Sequence, residues 1–247
     1  GYGHPHQGRP RVTTIVKGQP TSTEIRERLK AEARPVLVAM SLGKDAIATN
    51  LALREAGIET RLAYMYYIPG SEGRTTLRFI EDTLHSLEDA FGQQIHCYPH
   101  PSLYRWLNNY VYQPPERLAV IEAAQFPHIE YAQLWQLIRA DLNLPDDTWV
   151  ADGVRAADSI VRRASFTRHG AMKPGSRKVS PIYDWQKHEV MDAINSAGIP
   201  LPVDYDWFGR SFDGIDRRFL EPLRDNAPED YQRVLDWFPL ADTQLIH

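Results

Sequence analysis

The chain has 247 residues, 43% of them hydrophobic and 24% charged, which is typical of a folded globular protein long enough for one large α/β domain. The formal net charge of −4 gives no overall attraction to nucleic acid, although a basic segment at 155–178 leaves such a partner open. No apolar run has the length of a membrane span, so we expect no membrane partner. Cys97 is the single cysteine, which excludes an internal disulfide and suits a reducing cytoplasm.

The first 20 residues are rich in glycine, proline and histidine, which predicts an irregular N-terminal arm. His4 and His6 could bind a metal, but a solvated or tag-like tail is the simpler interpretation. Helix-start residues at 21–24 then predict a helix that runs to about Ala33 and is ended by Pro35.

Three apolar runs alternate with two helical patterns between residues 36 and 98. The patterns predict strands at 36–40, 60–68 and 94–98 and helices at 45–56 and 75–91, with a glycine after each helix. Short connections between such elements indicate parallel strands joined by right-handed crossovers.

The second half of the chain is less regular. Prolines divide a helical, aromatic-rich insertion at 101–142 into about three pieces. Strands are predicted at 148–151 and 179–183, a helix at 186–197 with Asp184 as its cap, and a last helix near 228–238. These elements predict an α/β fold with a doubly wound, mainly parallel five-stranded sheet, divided into an arm (1–20), one domain with its insertion (21–216) and a C-terminal helical tail (217–247).

The connection between the first strand and the next helix reads MSLGKDA, residues 40–46. A helix N-terminus concentrates N–H groups and partial positive charge, and Lys44 adds a full charge there. Ser41 and Gly43 are small enough to let an anion approach the backbone. The loop is therefore a candidate pyrophosphate site, although it lacks the Walker spacing and a Gly-Lys-Asp turn can also be purely structural.

A second candidate segment follows the predicted strand at 148–151. Gly153, Arg155, Ser159 and Arg162 form a Gly-x-Arg-x3-Ser-x2-Arg pattern. Ligands of open α/β sheets bind beyond the carboxyl ends of the strands, so this segment and the loop at 40–46 are expected at the same edge. Two arginines there could grip phosphate or sulfate groups, and a solvated basic loop is the alternative.

A third segment, KVSPIYDW at 178–185, carries residues that read mainly as scaffold. In this order and spacing the three segments resemble the PP-loop superfamily, most closely its phosphoadenosine phosphosulfate reductase branch, whose loop reads Ser-Gly-Gly-Lys-Asp-Ser. The resemblance spans about 36–216. It implies an adenine nucleotide alpha-hydrolase-like domain that binds ATP, or another adenine nucleotide, with Mg²⁺. The reaction it implies cleaves ATP between its α- and β-phosphates and passes AMP to an acceptor.

The same resemblance implies roles for individual residues. Catalysis would depend on Lys44, Asp45, Arg155 and Arg162, and Asp45 could also bind Mg²⁺. The nucleotide would lie against two strand ends and the first two segments, at Ala39, Met40, Ser41, Leu42, Gly43, Lys44, Asp45, Ala46, Met65, Tyr66, Gly153, Arg155 and Ser159.

The chain also departs from that family. Leu42 and Ala46 replace a glycine and a serine of the loop, and no cysteine follows Cys97, where sulfonucleotide reductases carry their nucleophile. Cys97 lies in a predicted strand, which favours a buried structural thiol, and its spacing from His96 and His100 is not that of a zinc site.

Three functions therefore stay open. The leading hypothesis is an ATP alpha-hydrolase or adenylyltransferase. The alternatives are a sulfonucleotide reductase that uses external thiols and a degenerate module that binds a nucleotide or a partner protein without turnover. The acceptor and the oligomeric state are open too, because the aromatic insertion could accept a planar molecule, cover the site or form a subunit contact.

Overall fold

The computed structural model describes residues 15–202, 207–208 and 214–246. Most of the predicted N-terminal arm, with His4 and His6, lies outside these residues. Val16, near the end of the arm, is buried in the core, and the carbonyl of Pro20 accepts a hydrogen bond from the Tyr183 hydroxyl at 2.7 Å. The end of the arm is thus packed against the domain.

The first half of the described chain has the predicted β-α-β-α-β order. A capping box formed by Thr21 and Glu24 starts the first helix. The elements are α1 (Ser22–Ala31), β1 (Val36–Ala39), α2 (Lys44–Glu55), β2 (Thr60–Tyr66), α3 (Arg78–Phe91) and β3 (Ile95–Pro99). Their types are as predicted, and their ends differ from the predicted ends by up to three residues.

The insertion contains the three predicted helical pieces, and the segment after it contains more structure than predicted. The helices are α4 (Pro101–Asn108), α5 (Leu118–Ala124) and α6 (Tyr131–Asp141). The elements that follow are β4 (Val150–Ala151), α7 (Ile160–His169), β5 (Met172–Lys173), β6 (Lys178–Val179), α8 (Lys187–Ser196), α9 (Arg217–Asn226) and α10 (Pro228–Trp237).

Two local predictions were wrong. The strand expected at 179–183 ends at Val179, because Pro181 has no N–H group to extend a ladder. Asp184 does not cap α8. Its Oδ2 accepts a hydrogen bond from the backbone N–H of Ser22 at 2.9 Å, and Gln186 and Glu189 form the capping box of α8.

The sheet has six strands in the order β3-β2-β1-β4-β6-β5, one more than predicted. Five are parallel, and β5 pairs antiparallel with β6 at one edge. The direction of strand succession reverses between β1 and β4, so the switch point of this doubly wound sheet lies between their carboxyl ends.

Helices cover both faces of the sheet. Successive strand residues point to opposite faces, so neighbouring residues of β1 belong to different core clusters. Val36 and Val38 belong to the larger core cluster, which contains buried residues of α1, α2, α3 and α8. Leu37 belongs to the smaller cluster, together with Trp135 and Ile138 of α6. The tail helices share the larger core through buried side chains. No helix within the described residues is long and apolar enough to cross a membrane.

Candidate functional site at the switch point

The loop after β1 keeps a glycine-like backbone although it has lost the expected glycine. Leu42 has φ of 68°, in the left-handed region, where a side chain typically costs about 1–2 kcal/mol. Its side chain is only 1% exposed, and burying a leucine contributes about 1.5–3 kcal/mol. Burial therefore offsets the backbone strain, and the turn that a glycine would form is preserved.

Helix α2 begins directly after this turn. Gly43 is its N-cap and places no side chain over the first turn, so the helix N-terminus is not capped by its own residue. Ser41 is exposed beside it. An uncapped helix N-terminus with a small residue next to it is a suitable place for an anion.

The segment after β4 packs directly against the start of α2. A Cβ atom on Gly153 would lie 2.7 Å from the carbonyl carbon of Asp45, which is closer than real contacts allow. Only glycine fits there. The two segments that the sequence singled out therefore meet, as their positions at the carboxyl ends of neighbouring strands predicted.

Arg155 is buried, with a side chain that is 5% exposed, and joins the two segments. Its Nε donates to Asp45 Oδ1 at 2.9 Å, its Nη2 lies 3.0 Å from Asp158 Oδ1, and its Nη1 donates to the carbonyl of Trp185 at 3.2 Å. The guanidinium is thus bound on three sides by protein groups. In this arrangement Arg155 positions the two loops, and its predicted role in binding and catalysis stays a prediction.

Lys44 is the more accessible cation. Its Nζ lies 3.1 Å from Asp45 Oδ2, and its side chain is 19% exposed. Asp45 therefore accepts from Arg155 on one oxygen and from Lys44 on the other. A phosphate group arriving at the helix N-terminus would compete with Asp45 for Lys44.

Asp152 and Ser180, which follow β4 and β6, were missed by the sequence analysis as site residues. The hydroxyl of Ser180 donates to Asp152 Oδ1 at 2.6 Å, and the N–H of Val154 donates to the same oxygen at 3.1 Å. Burial raises the pKa of the Asp152 carboxyl, and those hydrogen bonds oppose the shift. Their positions in the sequence could have indicated them, because each directly follows a strand of the parallel sheet.

The other predicted nucleotide-binding residues lie in several environments. Met40 and Ala46 are buried in the larger core, so the methyl group of Ala46 packs where a serine was expected to bind phosphate. Ala39 and Met65 pack on the α6 face of the sheet, whereas Tyr66 packs on the opposite face. Roles in binding for these side chains stay predictions.

Ser159 and Arg162 lie beyond the junction that Arg155 forms. The Ser159 hydroxyl accepts from the Arg162 backbone N–H at 3.0 Å and so caps α7. Arg162 is exposed on that helix. The catalytic role predicted for Arg162 stays a prediction.

A polar and aromatic group lies at the ends of β2 and β3. The ring of His100 stacks on Tyr67 with a centroid distance of 4.2 Å. His100 Nδ1 accepts from the Ser102 N–H at 2.9 Å, so a neutral ring carries its proton on Nε2, which lies 2.8 Å from the Tyr131 hydroxyl. Burial, with a smaller contribution from Arg105, lowers the pKa of His100 to about 4.

Cys97, on the edge strand β3, is half-buried, and burial raises its pKa to about 11. A thiol protonated at neutral pH is a poor nucleophile. Among the described residues, no group of three or more histidine, cysteine or acidic side chains is arranged to hold a metal ion.

The site suits a phosphate group better than it suits a metal ligated by Asp45. Ser41, Gly43 and Lys44 surround a helix N-terminus, which fits a phosphate. Both oxygens of Asp45 accept from cations, so Asp45 fits Mg²⁺ only after Lys44 turns away from Oδ2. Its role as a magnesium ligand stays a prediction, and no reaction step below depends on it.

Sequence comparisons found no protein-family model that matches the chain and no matching curated protein. Solved structures do match. The U34-tRNA thiolase NcsA from Methanococcus maripaludis, with its [4Fe-4S] cluster, is 13% identical with a TM-score of 0.40, covering 90% of this chain and 77% of that chain.

Two synthetases also match. The NH3-dependent NAD synthetase from Campylobacter jejuni, in complex with a nitrate ion, is 14% identical with a TM-score of 0.42, covering 91% of this chain and 90% of that chain. The NAD+ synthetase from Burkholderia pseudomallei is 17% identical with a TM-score of 0.38, covering 91% and 83%.

Proposed function

We propose that the chain is a PP-loop enzyme that binds ATP at the switch point, releases pyrophosphate and transfers AMP to an acceptor or to water. The observation that carries this proposal is the junction of the β1 and β4 segments, where Gly153 packs on Asp45 and Arg155 ties both loops together. The resemblance of the three sequence segments to PP-loop proteins supports it.

The chemistry follows from the charges at the junction. An oxygen atom of the acceptor, or of water, attacks the α-phosphorus of ATP, and the bond to the oxygen that bridges the α- and β-phosphates breaks. A proton carried by the attacking oxygen passes to solvent. Negative charge then grows on the leaving pyrophosphate. The N–H groups at the start of α2 and the ammonium of Lys44 are placed where they would stabilise that charge. No protein nucleophile is required, so the raised pKa of Cys97 is no obstacle.

The direct test measures ATP affinity by titration calorimetry for the wild type, Lys44→Met and a matched control, Lys187→Met. Lys187 is exposed on α8, and its substitution should change nothing. A hydrogen bond to a charged group contributes about 1.5–3 kcal/mol, so Lys44→Met should weaken ATP binding by roughly 10- to 150-fold. Equal affinity for the wild type and Lys44→Met would refute the site.

Turnover is measured separately, by AMP release and by exchange of radioactive pyrophosphate into ATP across candidate acceptors. We expect both activities to depend on Lys44. If ATP binds in a Lys44-dependent manner but no acceptor yields AMP, the site is a binding module rather than an enzyme. Production of sulfite from phosphoadenosine phosphosulfate and an external thiol would instead show a reductase.

A further inference from the structure

We propose that Lys173 and Lys178 form a subsite for a tetrahedral oxyanion, such as the phosphate group of a phosphorylated second substrate, next to the switch point. The proposal deepens the proposed function, since the second substrate is the acceptor of that reaction. Neither lysine was among the residues predicted to bind a ligand.

The first observation is a pair of like charges placed directly opposite each other. Lys173 and Lys178 are register partners across the antiparallel β5–β6 pair. Cβ atoms of such partners lie about 4.5–5.5 Å apart, and like charges in this position are destabilising. No ion pair among the described residues includes either ammonium, and the acidic group that both charges act on is Asp152. A bound anion would remove this repulsion.

The second observation is the direction in which the two side chains project. Val179 and Met172, the neighbouring pair of the same hairpin, pack on the larger core. Side chains alternate along a strand, so both lysines project from the opposite face, the one that carries Val150, the partner of Lys178. Neither ammonium is therefore turned into the larger core.

The third observation connects this face with the switch point. Asp152 lies two residues beyond Val150 and Ser180 two residues beyond Lys178, so both project from the face of the lysines toward the carboxyl edge. The charges of Lys173 and Lys178 partly counter the effect of burial on the pKa of Asp152, which places both within electrostatic reach of it. Asp152 follows β4, one of the two strands that flank the switch point, so the lysine pair borders that point through Asp152.

The fourth observation is the distribution of charge. The stretch from Ser159 to Tyr183 contains no aspartate or glutamate in a chain whose net charge is −4. Its cations are Arg162, Arg163, Arg168, Lys173, Arg177 and Lys178. A segregated positive region raises the local concentration of anions, and the lysine pair is where two of these charges meet at fixed positions.

The experiment measures stabilisation by inorganic phosphate, as the shift of the thermal unfolding midpoint at constant ionic strength with chloride as the reference anion. The proteins are the wild type, Lys173→Met, Lys178→Met, the double variant and the control Lys187→Met. Methionine keeps the apolar stem of lysine and removes only the charge. A saturating concentration of a non-hydrolysable ATP analogue occupies the loop at 41–45, so that the added phosphate reports on binding at Lys173 and Lys178.

We expect phosphate to stabilise the wild type and Lys187→Met. The double variant should need at least a tenfold higher phosphate concentration to reach the same shift of the unfolding midpoint. A wild type that does not respond to phosphate, or a double variant that responds fully, would overturn the subsite.

The failure of this subsite is distinguishable from failure of the proposed function. The analogue should bind the double variant as tightly as it binds the wild type, and Lys44→Met should lose the analogue yet keep the phosphate response of the lysine pair. If the wild type itself does not bind the analogue, the nucleotide site is refuted, while the phosphate titration still decides the subsite.

Discussion

Removing Arg155 tests whether a buried guanidinium holds the two halves of the site together. Arg155→Met leaves the carboxylates of Asp45 and Asp158 and the carbonyl of Trp185 without their donor. Breaking a fully buried pair costs about 3–5 kcal/mol. The two carboxylate side chains are 27% and 34% exposed, so water can hydrate them in part, and we expect a loss of about 2–3 kcal/mol of unfolding free energy.

The assay is urea unfolding followed by tryptophan fluorescence, with Arg163→Met as the control because Arg163 is exposed on α7. Asp45→Asn and the double variant complete a cycle. Residues that interact directly should show a coupling of roughly 1–2 kcal/mol, so the double variant should be less damaged than the sum of the single variants. ATP affinity should also fall in Arg155→Met, since the loop loses its anchor. A loss below about 0.5 kcal/mol, or strict additivity with Asp45→Asn, would show that Arg155 does not hold the junction.

Two further predictions concern Leu42 and His100. At Leu42 the left-handed backbone should make Leu42→Gly more stable than Leu42→Ala by about 1 kcal/mol in urea unfolding. At the control position Leu53, which is buried inside α2, the alanine variant should instead be more stable than the glycine variant by about 1 kcal/mol. The same order of stability at both positions would contradict the backbone strain at Leu42. Because the pKa of His100 is lowered to about 4 in the folded protein, the unfolded chain binds the extra proton between about pH 6.5 and 4, so falling pH should remove up to about 3 kcal/mol of stability. His100→Asn, which keeps an acceptor for the Ser102 N–H, should lose less over that range, and an unchanged pH profile of unfolding would contradict the assignment.

The order of strands and helices was predictable because the signals in the first half of the chain are local. The Thr21–Glu24 capping box and the short apolar run of β1 each fixed one element without reference to the rest of the chain. The meeting of the loop at 40–46 with Gly153 followed from one topological rule about parallel sheets.

The parts that the sequence did not predict depend on contacts between distant residues. Helix α7 is exposed almost throughout and buries only Phe166, so its amphipathic pattern is weak. Asp184 is of a residue type that often caps helices and stands shortly before α8, yet its carboxylate accepts a hydrogen bond from the N–H of Ser22 at the start of α1, far away in the chain. Trp185 accepts from Arg155 through its backbone carbonyl, and a backbone contact of this kind cannot be predicted from the residue type.

The two cations at the junction differ in their exposure to solvent, and this difference bears on how the site responds to a phosphate. Arg155 is 5% exposed and bound to three acceptors, whereas Lys44 is 19% exposed. A phosphate at the start of α2 should therefore draw Lys44 away from Asp45 and leave Arg155 in place. Asp45 would then keep its position through Oδ1 while Oδ2 becomes available to a cation that accompanies the phosphate. A buried arginine that keeps its three protein acceptors would then allow the neighbouring lysine and aspartate to change partners without loss of the loop.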